Sequence, residues 1–159
     1  MDVELIAPRH TAALAALFER NAVPAVEDTF DPFPLTAEQA RAIADRTDSD
    51  LYYALLISGE MAAFSMLRGF AEGYEVPSFG IFVDHQHQRE GLGRWLTSWT
   101  IDQAWSRDCT AVRLSVYAHN EAAKRLYDSL GFVEVQRSPI MHAGSSTEKI
   151  VMRLERDAR

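Results

Sequence analysis

Two glycines lie in a short segment that follows a predicted strand at residues 78–83 and opens a predicted helix at residues 91–106. The first turn of a helix leaves backbone N–H groups without partners and carries a partial positive charge. Glycine lets a ligand come close to the backbone and permits conformations that a side chain would block. These properties predict a pyrophosphate-binding loop. Its residues are Gln88, Arg89, Glu90, Gly91, Leu92, Gly93 and Arg94.

Two well-known phosphate-binding loops do not fit this segment. The Walker A loop ends in Gly-Lys followed by Ser or Thr, whereas Gly93 is followed by Arg94. The dinucleotide-binding fingerprint needs three spaced glycines near the start of a parallel sheet, whereas this segment has two glycines in the middle of the chain. The segment is therefore a phosphate-binding loop of another kind.

A second candidate segment, residues 120–132, follows a strand predicted at residues 112–117. Asn120 is a good N-cap for a helix predicted at residues 121–130, and Gly131 is a typical C-cap. At helical spacing, Tyr127 shares a face with apolar residues. Tyr127 is therefore either a core aromatic residue or a phenol that faces a binding site.

Together, the two segments resemble the GNAT superfamily of N-acetyltransferases. The first family motif, Gln/Arg-x-x-Gly-x-Gly/Ala, matches Gln88, Gly91 and Gly93. The second, Asn-x-x-Ala-x-x-Leu-Tyr-x-x-x-Gly-Phe, matches Asn120, Ala123, Leu126, Tyr127, Gly131 and Phe132. The chain departs from the family in one place, because Asp84-His85-Gln86-His87 stands where members often have a proline after the fourth strand.

The resemblance implies that acetyl-CoA is the co-substrate and that an amine attacks it directly, without an acyl-enzyme. The backbone of Phe82 and Val83 would pair with the pantetheine arm like an added strand, and the N–H groups of residues 88–94 would hold the pyrophosphate. Asn120 would reach the pantetheine near the thioester, and Tyr127 would lie beside the sulfur as a proton or hydrogen-bond donor.

The attacking amine must lose a proton, so the reaction needs a general base or a water that such a base orders. Glu75 lies closest to the strand that would carry the thioester, and we predict this role for it. His85 and His87 lack a third ligand in sequence, so we predict no metal. The alternatives left open for the base are Glu27, Asp28, Glu72, Ser78, His85 and His119.

For the acceptor, aromatic and acidic residues favour a small amine, such as an amino sugar, a polyamine or an antibiotic-like amine. The predicted substrate-binding residues are Phe30, Phe33, Glu72 and Tyr74. A protein N-terminus or a lysine is the main alternative acceptor. A non-catalytic acyl-CoA-binding sensor is the alternative of another class.

Composition limits the partners. The 159 residues carry a net charge of −7, and we find no basic face of the kind that binds nucleic acid. No apolar run approaches the roughly 20 residues that cross a bilayer, so we predict no membrane partner. A single cysteine, Cys109, fits the reducing cytoplasm. The family resemblance allows a homodimer.

The elements that must position the two segments are predicted in the order β-α-α-β-β-β-α-β-α-β-β. Residues 21–35 are predicted to be a loop, and the last two strands are placed at residues 132–136 and 150–154. The expected fold is a single α/β domain over residues 1–159, with a mixed, mostly antiparallel central sheet and helices on both faces.

Overall fold

A computed structural model describes residues 1–30 and 32–157. Five helices are present in these ranges: α1 (Thr11–Arg20), α2 (Pro24–Glu27), α3 (Ala37–Ala44), α4 (Leu92–Ser106) and α5 (Glu121–Ser129). Seven strands are present: β1 (Asp2–Leu5), β2 (Leu51–Ile57), β3 (Glu60–Arg68), β4 (Ser78–Val83), β5 (Ala111–Tyr117), β6 (Val133–His142) and β7 (Ser145–Glu155). Within the described residues, no helix has both the length and the apolar character needed to cross a membrane.

The seven strands form one sheet in the order β1-β2-β3-β4-β5-β7-β6. Every neighbouring pair is antiparallel except β4 and β5, which are parallel. The predicted fold class, a mixed and mostly antiparallel sheet, is therefore confirmed. The parallel pair lies in the middle of the sheet and divides it into two antiparallel halves.

The two central strands pair at only one position and then separate. Ser78 is the residue of β4 that lies in register with β5, opposite Arg113. In contrast, β4 pairs with β3 over its whole length, and β5 pairs with β7 over its whole length. The facing edges of β4 and β5 therefore bound a cleft in the centre of the sheet.

Helices cover both faces of the sheet, as predicted. On one face, α1 and α3 bury Leu14, Leu17 and Ile43 against Phe64 and Phe82 of the sheet. On the other face, the core between α4, α5 and the sheet includes Ile101, Val112, Leu114, Tyr127 and Met152. The separation of β4 and β5 therefore opens between two packed layers.

Side-chain caps fix the helix ends as the sequence predicts, since residues 36–39 have the pattern of a capping box and Asn120 and Gly131 are typical cap residues. Thr36 Oγ1 accepts a hydrogen bond from the N–H of Gln39 (3.1 Å) at the start of α3. Asn120 Oδ1 accepts one from the N–H of Ala123 (3.3 Å) at the start of α5. At the end of α5, Gly131 has a φ of +98°, a left-handed conformation that favours glycine.

Two boundaries were predicted wrongly. The segment at residues 21–35 contains a one-turn helix, α2, because Pro24 at the first helical position already has the required φ. The closing strands are longer than predicted, and they form a hairpin across Ala143 and Gly144, which both have positive φ. Alternating polar residues and Pro139 concealed β6, but an edge strand tolerates both.

A buried ion pair joins α1 to the end of β4. Asp84 Oδ2 accepts a hydrogen bond from Arg20 Nε (2.7 Å), and its Oδ1 accepts one from the N–H of Gln86 (3.2 Å). Burial raises the pKa of the Asp84 carboxyl, but the hydrogen bonds from Arg20 and Gln86 outweigh it and leave that pKa below its ordinary value. This pair fixes the point at which the chain leaves β4.

We expect Asp84→Asn to destabilise the protein by about 2 kcal/mol, because it removes the charge that Arg20 contacts. The melting temperature should fall by roughly 4–8 °C at neutral pH. A lowered folded-state pKa stabilises the protein above the pKa of the unfolded state, and that contribution is lost as the pH falls. The difference between wild type and D84N should therefore narrow below about pH 5; a constant difference in thermal melts would contradict this assignment.

Candidate functional site

The cleft between β4 and β5 has a volume of about 870 Å³. At one end it reaches the glycine-containing loop before α4, and at the other it reaches Arg68, Glu72 and Tyr74. Phe79, Gly80, Ile81, Phe82 and Val83 form one wall, and Leu114, Ser115 and Val116 form the other. The cleft therefore brings together both segments that the sequence analysis selected.

The backbone of β4 turns alternate peptide groups towards the cleft. Asp84 N–H donates to Ala62 O of β3 (2.9 Å), so the peptide groups of Phe82, two residues earlier, also face β3. Pro77 O accepts a hydrogen bond from Arg113 N–H of β5 (3.0 Å). The same alternation directs the N–H and C=O groups of Ile81 and Val83 into the cleft.

In the predicted pair of backbone donors and acceptors, Phe82 and Val83, the register therefore replaces Phe82 with Ile81. Phe82 contributes its side chain instead, which packs within 6 Å (centroid to centroid) of Phe18, Phe30 and Phe64. The sequence could not show which alternate peptide groups of β4 face the cleft. Successive peptide groups of a strand point to opposite edges, and the register with β3 decides which of them remain unpaired.

The glycine-containing loop leads into α4 at the edge of the cleft. Gln88, Arg89, Gly91, Leu92 and Gly93 all line the cleft. The first intrahelical acceptor is Gly91 O, which is bonded by Trp95 N–H (3.2 Å). The N–H groups before Trp95 therefore have no partner within the helix and can bind an anion.

The other two predicted loop residues point elsewhere. Glu90 Oε2 lies 3.2 Å from His87 Nδ1. Arg94 donates a hydrogen bond through Nη2 to Ser129 Oγ of α5 (2.9 Å). Their side chains do not line the cleft, so only their backbone groups remain candidates for phosphate binding.

Different structural constraints apply to the two glycines of the loop. Gly91 has a φ of +78°, which an L side chain rarely adopts. Gly93 has no such φ, and a Cβ built on it would lie 3.8 Å from Val83 Cγ2, an ordinary van der Waals contact. Nothing within the protein therefore requires glycine at position 93, whereas close approach of a ligand to the backbone would.

Tyr127 lies between the core and the cleft. Its ring packs edge-on against Phe79 and Phe132, with centroid distances of 6.3 and 5.7 Å. It also lines the cleft, and its hydroxyl makes no hydrogen bond to another described residue and is not among the buried unpaired atoms. The ring of Tyr127 therefore belongs to the core, whereas its hydroxyl lies at the cleft, and its predicted role beside the sulfur stays a prediction.

Burial raises the pKa of the Tyr127 phenol far above its ordinary value of 10. Tyr127 therefore stays protonated over the whole working pH range. A thiol has a pKa near 8.5, so full proton transfer from this phenol to a thiolate is uphill. The environment favours a hydrogen-bond donor over a proton donor.

Asn120 lines the cleft opposite β4, at the start of α5. Its Oδ1 is occupied by the cap to Ala123 N–H, so the acceptor atom of the amide serves the helix. The Nδ2 donor is the remaining polar group of the side chain. Asn120 can therefore cap α5 and donate to a bound carbonyl at the same time.

At the other end of the cleft, three of the predicted acceptor residues, Phe30, Glu72 and Tyr74, line the wall. Phe33 does not, and instead packs beneath the Arg68 guanidinium, 5.9 Å from its ring centroid. Glu75 is exposed and is also outside the lining, so no contact in the structure supports its predicted role as general base.

Asp50 fixes the segment that carries Glu72 and Tyr74. Asp50 Oδ1 accepts hydrogen bonds from the N–H groups of Gly69 (2.9 Å) and Ala71 (3.1 Å). The Asp50 side chain is almost fully buried, and its Oδ2 lies 3.1 Å from Arg46 Nη2. This anchor holds the wall of the cleft in place without a strand or a long helix.

Two cationic residues at the cleft were missed by the sequence analysis. Arg68 of β3 and Lys149 of β7 both line it, and neither forms an ion pair with another described residue. Among the described residues of the lining, Glu72 is the one carboxylate. No local spacing pointed to Arg68 and Lys149, since they are 81 residues apart and meet the cleft from separate halves of the sheet.

Comparison with known proteins agrees with this geometry. The acetyltransferase (GNAT) family model matches residues 14–132. The chain is 37% identical over 106 residues to the [ribosomal protein bS18]-alanine N-acetyltransferase of Escherichia coli (strain K12), a match that covers 65% of this chain and 70% of that protein. It is 34% identical over 95 residues to the L-amino acid N-acyltransferase MnaT of the same organism, covering 55% of this chain and 54% of that protein.

A solved structure supports the same relationship. The ribosomal-protein-S18-alanine N-acetyltransferase from Escherichia coli superimposes with a TM-score of 0.77 at 25% sequence identity, covering 97% of this chain and 92% of that chain. Members of the matched family use acetyl-CoA as co-substrate. The split sheet, the two motifs and these matches agree with one another. The chain is therefore a member of the acetyltransferase (GNAT) family and an acyltransferase.

Proposed function

We propose that this enzyme transfers the acetyl group of acetyl-CoA to the α-amino group at the N-terminus of a protein or peptide. The observation that carries the proposal is the charge of the cleft lining, where Arg68 and Lys149 accompany one carboxylate, Glu72, among the described residues. This arrangement is unfavourable for a polycationic small amine such as a polyamine. The small-molecule acceptor favoured by the sequence analysis is therefore not the function that we propose.

The names of the relatives support an α-amine. One relative acts on the alanine of a ribosomal protein, and the other on L-amino acids. An α-amino group is common to both. This shared chemistry, rather than either named acceptor, is what we transfer to the present chain.

The chemistry of an α-amine suits this cleft. An alkylamine with a pKa of about 10.4 costs about 4.6 kcal/mol to deprotonate at pH 7, whereas an α-amine with a pKa near 7.8 costs about 1 kcal/mol. The α-amine therefore depends much less on a strong general base. Glu72 is the one carboxylate among the described residues of the lining. The role of Glu75 as general base stays a prediction.

The chain's own groups account for binding of the donor. The peptide groups of Ile81 and Val83 offer strand-like hydrogen bonds to the amides of the pantetheine arm, and the N–H groups at the start of α4 suit the pyrophosphate. Asn120 Nδ2 lies on the opposite wall as a further donor. These groups leave the thioester between Tyr127 and the acceptor end.

Tyr127 would act when the C–S bond breaks. Negative charge then develops on the sulfur, and a buried, protonated phenol stabilises it by donating a hydrogen bond. The low polarity around the ring strengthens this interaction compared with water. The proton that neutralises the thiolate would come from the acylated amine, through solvent.

A free L-amino acid is the second candidate acceptor. The specific observation in its favour is again the pair of cations, because Arg68 or Lys149 could bind a free α-carboxylate. A protein N-terminus has an amide in that place and would use these side chains for other contacts. The two candidates therefore differ in whether the acceptor must carry a carboxylate beside its amine.

An acceptor panel tests the proposal. We expect thiol release from acetyl-CoA with a peptide that has a free N-terminal alanine, and little with the same peptide blocked at its N-terminus but containing a lysine. With the α-amine, kcat/KM should rise with pH and level off above about pH 8.5, whereas a lysine acceptor would still gain rate beyond that pH. Mass spectrometry locates the acetyl group.

Other outcomes of the panel decide between acceptors. Turnover of free alanine at a rate far above that of the peptide would favour the second candidate. Preferential turnover of spermidine or an amino sugar would overturn the α-amine proposal.

Gly93→Ala tests the phosphate-binding role of the loop. The new methyl group fits the protein itself, and alanine favours helix by up to about 1 kcal/mol, so the melting temperature should stay the same or rise. The KM for acetyl-CoA should nevertheless rise at least ~10-fold, because the methyl blocks close approach of the pyrophosphate. Ser98→Ala on the same helix is the matched control and should leave KM unchanged; equal KM values for both variants would refute the role.

Tyr127→Phe tests the hydrogen bond to sulfur. The ring contacts with Phe79 and Phe132 remain, so folding should be preserved. Removal of one such donor typically lowers kcat by roughly 10²–10³-fold, with much less effect on the KM for acetyl-CoA. Steady-state kinetics that give an unchanged kcat would remove Tyr127 from the chemistry.

A further inference from the structure

Three polar side chains from distant segments meet beside the cleft. Asp28 follows α2, His119 lies between β5 and α5, and His142 ends β6. One ligand atom from each lies within 4.8 Å of the others. We propose that this cluster, Asp28/His119/His142, binds a divalent transition-metal ion of the Zn²⁺ type.

The distances show that the two imidazoles converge on the carboxylate. His119 Nε2 lies 3.3 Å from Asp28 Oδ2, and His142 Nε2 lies 3.4 Å from Asp28 Oδ1. Two imidazole nitrogens and a carboxylate oxygen form a donor set that suits Zn²⁺, whereas Ca²⁺ and Mg²⁺ prefer oxygen ligands alone. A fourth position remains for water, as in open zinc sites.

Neighbouring groups hold the imidazole rings. His119 Nδ1 lies 3.2 Å from Thr147 Oγ1, a hydrogen bond of the kind that orients a metal-binding histidine and leaves Nε2 free. The His142 ring stacks on Tyr117 with a centroid distance of 4.3 Å. These contacts limit the rotamers of both rings before any ion arrives.

Binding requires a small closure. Zn–N distances of about 2.0–2.1 Å place tetrahedral ligand atoms roughly 3.3 Å apart, compared with up to 4.8 Å here. The two rings are also nearly parallel, with an angle of 20°, so one must turn to direct its lone pair at the same point. His142 would exchange its hydrogen bond to Asp28 O (2.8 Å) for the ion. Partial exposure of all three side chains leaves room for this motion.

The position of the cluster indicates how a bound ion would affect the cleft. Asp28 precedes Thr29, and His119 precedes Asn120, and both following residues line the cleft. Asp28 belongs to the helical layer over one half of the sheet, whereas His119 and His142 belong to the other half. A bound ion would therefore tie the two sides of the cleft together. The inference departs from the sequence-based prediction of no metal and does not depend on which amine is acetylated.

Isothermal titration of the EDTA-treated, dialysed enzyme with ZnCl₂ tests the site. We expect one ion per chain with a Kd in the micromolar range or below. Asp28→Asn and His142→Gln should each weaken binding at least ~10-fold, since each removes a ligand. His87→Gln is the matched control, because His87 also lies beside a carboxylate, Glu90, but has no third ligand; its affinity should equal that of wild type.

Two further measurements separate the loss of the metal site from the loss of folding. Circular dichroism of D28N and H142Q should match wild type, which shows that lost binding is not lost folding. Co²⁺ in place of Zn²⁺ should give visible absorption in wild type and H87Q but not in D28N. The absence of binding at millimolar Zn²⁺, or equal binding by wild type, D28N and H142Q, would overturn the proposal.

Discussion

The separation of β4 from β5 is the constraint on which the rest of this structure depends. Parallel neighbours normally share evenly spaced hydrogen bonds, but here the pairing ends after Ser78 and Arg113. The unpaired edge of β4 is costly to bury without a partner, and an extended ligand with amide groups supplies one. The gap in the sheet is thereby the candidate binding site, and both segments singled out in the sequence line it.

The two halves of the sheet are held apart by different kinds of contact. On the β3–β4 side, three phenylalanine rings pack around Phe82, and the Asp84–Arg20 pair fixes the strand end beside α1. On the β5–β7 side, Tyr127 and its aromatic neighbours fill the space beneath α5. Aromatic packing is rigid because interiors are close-packed, so the width of the cleft is set by the core rather than by the ligand.

The charge of the cleft lining differs in sign from the net charge of the chain. The chain as a whole carries a net charge of −7. The lining of the cleft has the opposite balance, with Arg68 and Lys149 against Glu72. Net charge describes the average surface, whereas a substrate meets the few side chains that tertiary folding brings together.

The sequence by itself determined the motifs, the helix caps at Thr36, Asn120 and Gly131, and the fold class, because each depends on local spacing and backbone conformation. It could not determine which peptide groups of β4 face the cleft, where those of Ile81 rather than Phe82 do so. It also could not determine the length of the β6–β7 hairpin. The tertiary structure alone decided that Arg68 and Lys149 line the same cleft, and that Asp28 converges with His119 and His142. These residues are far apart along the chain, and only strand register and layer packing bring them to one site.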